Sequence, residues 1–273
     1  MKLSIIILNF YTKNLVKYVI KSIKETVKNI PYEIIVVDNG TYDGVDSMLN
    51  EFYPDVKFLQ TGSNLGYSAG NNAGLKIAQG EYIMIMNPDI FCLPGAVESM
   101  VSYLERNSDI GILVPQLLNG DRSIQLSCRK FQTLKTVIYR RTPLGLTKSG
   151  KEYLDGFLMK NIDHTKIMDI DWAIGACHLF KRSDIDKYGS YDEGFKLYVE
   201  DMEICRRYWI NGKRVVYYPE AKMIHLHEQA STNTPWGFLK VFNNKLIRWH
   251  ITSYIKYILK YWGNKNYGSR TVK

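Results

Sequence analysis

The sequence predicts an α/β fold built on a mainly parallel sheet, and three observations carry that expectation. Apolar, β-rich runs alternate with helically spaced segments from the first residues onward. Polar or turn-forming residues close one run after another, at Asn9, Asp38, Asn64 and Asn87. The composition is globular: 273 residues, 45% hydrophobic and 23% charged, which suits one large domain with an appendage and not a disordered or disulfide-scaffold chain.

Leu3–Phe10 is apolar and β-rich, and Asn14–Val27 follows as a helix with Leu15, Val19, Ile23 and Val27 on one face. Glu33–Val37 reads as a buried strand ending in the turn Asp38-Asn39-Gly40, then a helix at Val45–Phe52 and a strand at Val56–Gln60. Gly66–Gly80 begins as a glycine-rich loop and continues as a helix. Tyr82–Met86 is a strand, Pro94–Arg106 a helix opened by proline, and Ile110–Leu118 another strand. Asn119–Asp169 has weaker periodicity and reads as a long excursion beside the site. Regular patterning resumes at Trp172–Phe180, with a helix at Glu200–Ile210 and a strand at Arg214–Tyr218. Strands joined through helices imply right-handed crossovers. The division expected is a domain over 1–235 and a basic, aromatic, amphipathic helical extension over 236–273.

The net charge of +9 sits almost wholly in that extension. Beyond Glu228 there is no acid, while Lys240, Lys245, Arg248, Lys256, Lys260, Lys265, Arg270 and Lys273 are all basic, so residues 1–235 are nearly neutral. A near-neutral body with ordered acidic motifs argues against a nucleic-acid partner. Cys92, Cys128, Cys177 and Cys205 form no C-x-x-C and are expected as reduced thiols in the cytoplasm. The apolar Leu3–Leu8 run is short, lacks a small-residue cleavage site and leads into a Lys-bearing helix, so it reads as a strand and not a leader.

Ligands of open parallel sheets bind beyond the carboxyl ends of the strands, where Asn9, Asp38, Asn64-Leu65-Gly66 and Asn87-Pro88-Asp89 fall. No G-x-G-x-x-G follows the first strand and no P-loop is present. A bare carboxylate such as Asp89 repels a diphosphate unless a divalent cation lies between them.

Ser4-Ile-Ile-Ile-Leu-Asn-Phe10, Val36-Val-Asp-Asn-Gly40 with Asp43-Gly44, Asn64-Leu-Gly-Tyr-Ser-Ala-Gly-Asn-Asn-Ala-Gly74 and Met86-Asn-Pro-Asp89 occur in order. Trp172-Ala-Ile-Gly-Ala176, Phe195-Lys-Leu-Tyr-Val-Glu-Asp201 and Ile224-His225 follow. The set resembles the family 2 glycosyltransferases of GT-A fold (Rossmann-like), over roughly residues 3–250. Asn-Pro-Asp in place of Asp-x-Asp, Arg129-Lys130-Phe131 and Arg248-Trp249-His250 lean toward bacterial rhamnosyltransferases of O-antigen and cell-wall polysaccharide assembly.

The resemblance implies inverting transfer of L-rhamnose from dTDP-rhamnose to a polyprenyl-diphosphate-linked, GlcNAc-type sugar. Rival expectations are a UDP-sugar donor such as UDP-galactofuranose, and a non-catalytic sugar-nucleotide-binding subunit. It assigns Asp38, with Asn9 nearby, to the nucleoside, and Asn64, Gly66, Asn71, Asn87 and Arg129 to the sugar nucleotide. Asp89 and His225 would hold Mg²⁺ or Mn²⁺. His227 is the alternative histidine, pointing the other way in an extended segment. Asp201 is the expected general base, with Glu200 beside it on the acceptor side. A helix cap or a salt bridge to Arg206 or Arg207 is the structural alternative for Asp201. Trp172 would stack on the acceptor sugar or belong to the core, and Arg129 would meet phosphate or be a solvated cation. Glu203 stands where the family usually has Asp and reads as a surface or salt-bridge change. The Lys/Trp/Tyr-rich extension would lie on an anionic membrane, giving a cytoplasmic protein peripheral to the inner face, or would pack on the body or on a second subunit in a homodimer.

Overall fold

The computed structural model describes residues 1–195, 198–226 and 245–261. Strands β1 (Leu3–Asn9), β2 (Tyr32–Asp38), β3 (Lys57–Gln60) and β4 (Tyr82–Met86) alternate with helices α1 (Lys13–Thr26), α2 (Val45–Phe52) and α3 (Tyr67–Ile77). After β5 (Ile90–Cys92) come α4 (Ala96–Arg106), β6 (Ile110–Leu118) and β7 (Cys128–Arg129). The excursion holds α5 (Leu134–Arg141), a 3₁₀ turn (Pro143–Leu146) and α6 (Lys148–Phe157). β8 (Met168–Asp169), β9 (Trp172–Ala173), β10 (Cys177–Lys181), α7 (Arg182–Tyr188), α8 (Glu200–Ile210), β11 (Arg214–His225) and α9 (Lys245–Lys260) complete the described chain.

Among the described residues the main sheet has nine strands, in the order β3-β2-β1-β4-β10-β6-β11-β5, with β8 also on β11. β1 to β4, β6 and β11 run one way, whereas β10, β5 and β8 oppose them, so the expected mainly parallel sheet is present with an antiparallel strand at its centre. Continuous apolar runs, Ile/Val/Leu in β1 and β2 and Ile/Met in β4, are buried on both faces, as parallel strands flanked by helices must be. One core layer lies under α1, α2 and α4, the other under α3 and α8. Gly74 lets α3 approach the sheet: a Cβ there would come within 2.7 Å of Ile6 Cγ2 and 2.8 Å of Val37 Cγ2.

Several boundaries differ from expectation. The last strand runs past Tyr218 to His225 through a register shift at Tyr218/Lys222, because Pro219 cannot donate to the ladder and a bulge absorbs it. Trp172–Phe180 is two strands separated by a turn at Ile174–Ala176. The excursion contains two short helices, the first opened by a Thr133/Thr136 capping box. The four cysteines are buried and unbridged. Among the described residues no helix is long and apolar enough to cross a membrane.

The expected extension helix is present as α9, and Tyr254 and Tyr257 turn toward the body. Trp236, Phe238, Phe242 and Trp262 lie outside the described residues, as does His227. Glu203 is not a surface residue: fully buried, it accepts from Arg207, Lys260 Nζ at 2.7 Å and Tyr261 Oη at 2.8 Å, which joins α9 to α8.

Candidate functional site

The register of the parallel strands brings the expected residues to one sheet edge. Ile7 pairs with Met86 and Asn9 with Asp38, so the chain leaves β1, β2 and β4 side by side. Cys177 pairs with Met86, which places the Gly175-Ala176 turn at the same edge, and Asn87 N donates to Ala176 O at 2.8 Å.

Under β1 and β2 lies a closed polar cluster. Asn9 Nδ2 donates to Asp38 Oδ1 at 2.8 Å and also reaches Thr41 and Asp43. Asp38 further accepts from the Thr41 hydroxyl, the Tyr42 amide at 3.0 Å and Gln60 Nε2 at 2.7 Å. Burial opposes its charge, yet these donors prevail and hold its carboxyl below the usual range. Asp38 and Asn9 expose no surface, so a nucleoside base reaches Asp38 only if a donor such as Gln60 gives way. Asn64 is exposed, its Oδ1 accepting from Asn39 Nδ2 and Gly66 N, and this tie shapes the loop leading into α3. Asn71 faces inward, donating to Tyr67 O at 2.9 Å, while its buried Oδ1 has no partner among the described residues.

The second cluster joins the end of β4 to the end of β11. His225 Nε2 lies 3.4 Å from Asp89 Oδ2, and Asp89 Oδ1 is buried without a hydrogen-bond partner among the described residues. His225 Nδ1 is 2.5 Å from Gln125 Oε1, and Gln125 turns its amide nitrogen to Asn119 Oδ1 at 3.1 Å. In the tautomer that donates from Nδ1 to Gln125 Oε1, the ring turns its acceptor Nε2 toward the Asp89 carboxylate. Two acceptors face each other stably only with a proton or a cation between them. The donor set, one imidazole and one carboxylate, fits Mg²⁺ or Mn²⁺. Among the described residues no third His, Cys, Asp or Glu completes a cluster.

The third cluster surrounds α8. Tyr198 (φ 61°) and Val199 (φ 79°) enter the helix in the left-handed region, a costly conformation for a β-branched residue. The turn aims Glu200 and Asp201 back at the sheet edge. Asp201 Oδ2 accepts from Gly175 N at 3.1 Å, Oδ1 from the Met202 amide at 2.8 Å, and Tyr67 Oη donates to Gly175 O at 2.5 Å. Glu200 is buried and its Oε2 has no partner among the described residues. Burial pushes both carboxyls up, and the Asp201 charge raises Glu200 further. Among the described contacts Asp201 has no ion pair with Arg206 or Arg207: Arg207 is taken by Glu203 and the 188–190 carbonyls, and Arg206 donates to Tyr257 Oη.

Arg129 pairs with Trp172 across β7 and β9 and lies within electrostatic reach of Asp201. It is not a solvated cation, because burial pulls its pKa down to about 10 and Nη1 donates to Leu126 O and Cys128 O. Trp172 is only 7% exposed and its indole N–H donates to Lys130 O at 2.8 Å. The stacking face expected of it is therefore covered, and it serves as core beneath the site. Gln125, Tyr67 and Gln60 escaped the sequence reading. Of these only Tyr67 lies within a family motif, Asn64–Gly74; the others act through contacts between segments distant in sequence.

Residues 4–189 match the family model described as glycosyl transferase family 2. An N-acetylglucosaminyl-diphospho-decaprenol L-rhamnosyltransferase of Mycobacterium tuberculosis (strain CDC 1551 / Oshkosh) is 27% identical over 215 residues, 74% of this chain and 68% of the relative. The rhamnosyltransferase WbbL of Escherichia coli (strain K12) is 25% identical over 244 residues, 84% of this chain and 83% of the relative. The crystal structure of GalNAc-T7 with UDP, GalNAc and Mn²⁺ superposes with a TM-score of 0.66 at 14% identity over 96% of this chain. That likeness is one of fold, and the chain spans about half of that protein, 48%. A family match over two thirds of the sequence, on a GT-A sheet whose strand ends gather the motif residues, means that this chain belongs to glycosyl transferase family 2.

Proposed function

We propose that this glycosyltransferase moves L-rhamnose from dTDP-rhamnose to a polyprenyl-diphosphate-linked, GlcNAc-type acceptor, with inversion. The observation that carries the mechanism is Asp201, a carboxylate of raised pKa pinned by the Gly175 amide. Such a group is a stronger base than an ordinary aspartate. Asp201 takes the proton of the acceptor hydroxyl as that oxygen bonds to the anomeric carbon, and the bond from that carbon to the diphosphate oxygen breaks. Glu200 Oε2, buried without a partner among the described residues, suits a second hydroxyl of the acceptor. Asn9, Asp38, Asn64 and Gly66 shape the nucleoside end, and Asn71, Asn87 and Arg129 the sugar-diphosphate end. Asp89 and His225 would hold Mg²⁺ or Mn²⁺, which when bound neutralises charge on the leaving diphosphate.

The names of both relatives support the transferred sugar, and that of the Mycobacterium tuberculosis relative supports the lipid-linked acceptor. The acid-free extension over 236–273 supports peripheral attachment to the inner face of an anionic membrane. The test is nucleotide release by purified protein with Mg²⁺ or Mn²⁺, a synthetic GlcNAc-diphosphate-lipid, and either dTDP-rhamnose or a panel of UDP-sugars. Rhamnose transfer that vanishes in Asp201→Asn is the expected result. Turnover only with a UDP-sugar would keep the mechanism and discard the donor. Tight nucleotide binding without turnover of any donor would oppose the catalytic reading.

A further inference from the structure

We propose that the tip of the excursion hairpin is a membrane wedge that seats in an anionic lipid surface beside the acceptor end of the site. The proposal deepens the acceptor reading and rests on it for the surface's purpose, not for its existence. The hairpin stem closes where Lys130 N donates to Phe157 O at 2.9 Å, directly after Arg129. Phe131 N donates to Asp171 Oδ2 at 2.8 Å, which fastens the stem to the segment leading through β9 to Gly175 and Asp201. Along it, Tyr153 Oη meets Thr133 and Thr136, and its ring packs on Tyr139 at 5.3 Å. At the tip Gly145 sits against the Tyr139 carbonyl, where no side chain fits. The tip is thus a braced element.

This braced tip presents apolar side chains to solvent. Leu144 is 53% and Leu146 75% exposed, and on α5 Leu134 and Ile138, one turn apart, are 71% and 49% exposed. Basic residues bracket them. From Phe131 to Lys151 there are five, Lys135, Arg140, Arg141, Lys148 and Lys151, and no acid, while Arg129 turns inward at the stem and Lys130 lies 4.0 Å from Asp171. Glu152 and Asp155 come only on the returning helix, with Asp155 paired to Lys160 at 3.3 Å. Exposed leucines within a cationic ring match a lipid interface, apolar inside and anionic at the headgroups. A nucleic acid would match the charges but gain nothing from the leucines. α9 adds to the same character, because Ile251, Ile255 and Leu259 form an exposed stripe and Tyr254 lies within electrostatic reach of Arg140.

The test is co-sedimentation of the full chain with phosphatidylcholine vesicles with and without phosphatidylglycerol, in the absence of sugar nucleotide, so that the result does not depend on the donor or acceptor reading. Wild type should bind only the anionic vesicles, and less as salt rises. Leu144→Ser with Leu146→Ser, and separately Lys148→Glu with Lys151→Glu, should each cut the partition by about tenfold or more with an unchanged melting temperature. These side chains are exposed, so folding is not at stake. Wild-type-like binding by both variants would overturn the proposal, as would a loss confined to Ile255→Ser with Leu259→Ser, which would assign the lipid to α9. Tip-dependent dimerisation or nucleic-acid capture without vesicle binding would overturn it too.

Discussion

Replacing Asp201 by Asn removes the proposed base while changing almost no volume. The wild-type carboxylate holds two amides, Gly175 N–H on one oxygen and Met202 N–H on the other. An asparagine has one acceptor oxygen, so it keeps one of these bonds and turns an NH₂ toward the other donor, at a cost of about 1 kcal/mol. An opposing effect comes from burial. A carboxyl whose folded pKa is raised ionises less readily folded than unfolded, so its charge opposes folding at pH values above the unfolded pKa of about 4. Removing that charge at neutral pH offsets the lost bond and relieves Glu200, and the melting temperature should move by only a few degrees. The rate should not be spared: loss of a general base costs about 10²–10⁴-fold, equivalent to about 3–5 kcal/mol in the barrier. The assay is kcat and kcat/KM for nucleotide release from pH 5 to 8.5. Wild type should lose activity on the acid side as Asp201 protonates, at a pH above the ordinary carboxylate range, and the variant should lack that limb. Activity of the Asp201→Asn variant within about tenfold of wild type, with a normal melting temperature, would refute the assignment; Glu200→Gln producing the collapse instead would move the base to Glu200.

Three further outcomes follow from the same contacts. Tyr67→Phe deletes the hydroxyl that holds Gly175 O, so kcat should fall about tenfold with donor KM unchanged, and an unchanged kcat would deny the residue a positioning role. Gln125→Leu removes the partner that orients the His225 ring, and a Mn²⁺ titration in the presence of nucleotide should show affinity about 10–100-fold weaker. Asp192 accepts from Lys256 and Lys260 of α9, and its pKa falls from 3.8 to about 2. A depressed carboxyl stabilises the fold above its unfolded pKa and loses that contribution as pH falls through the folded one. Amide exchange in α9 should therefore accelerate between pH 3.8 and about 2, before exchange in the β1 and β4 core.

The parallel half of the fold was readable because its signals are local. A run such as Ile5-Ile6-Ile7 commits to a doubly buried strand whatever surrounds it, and helical spacing at Val19 and Ile23 marks the face of α1 that packs on the sheet. β5 and β7 are three and two residues long, too short to show a period, and they exist only because β11 and β9 pair with them. The same distinction runs through the site. Asn9, Asp38, Asn87 and Asp89 end strands, so sequence order alone places them on one edge. Trp172 is chemically suited to stack on a sugar, and only packing decides that its face is covered. Glu203 reads as a surface or salt-bridge change; the salt bridge forms, to Arg207, and only packing decides that α9 covers it and makes it a buried junction.

By itself the sequence determined the order of strands and helices, the family motifs and the concentration of positive charge beyond Glu228. These depend on residue type and spacing along one segment, which no partner is needed to interpret. Tertiary structure alone decided that β10 runs antiparallel at the sheet's centre and that Gln125 orients His225 across a hundred residues. It also decided that Tyr67 and Gly175 pin Asp201, and that burial raises the Glu200 and Asp201 carboxyls. Each is a property of distance and solvent exclusion between segments far apart in the chain, and those quantities come into being only when the chain has folded.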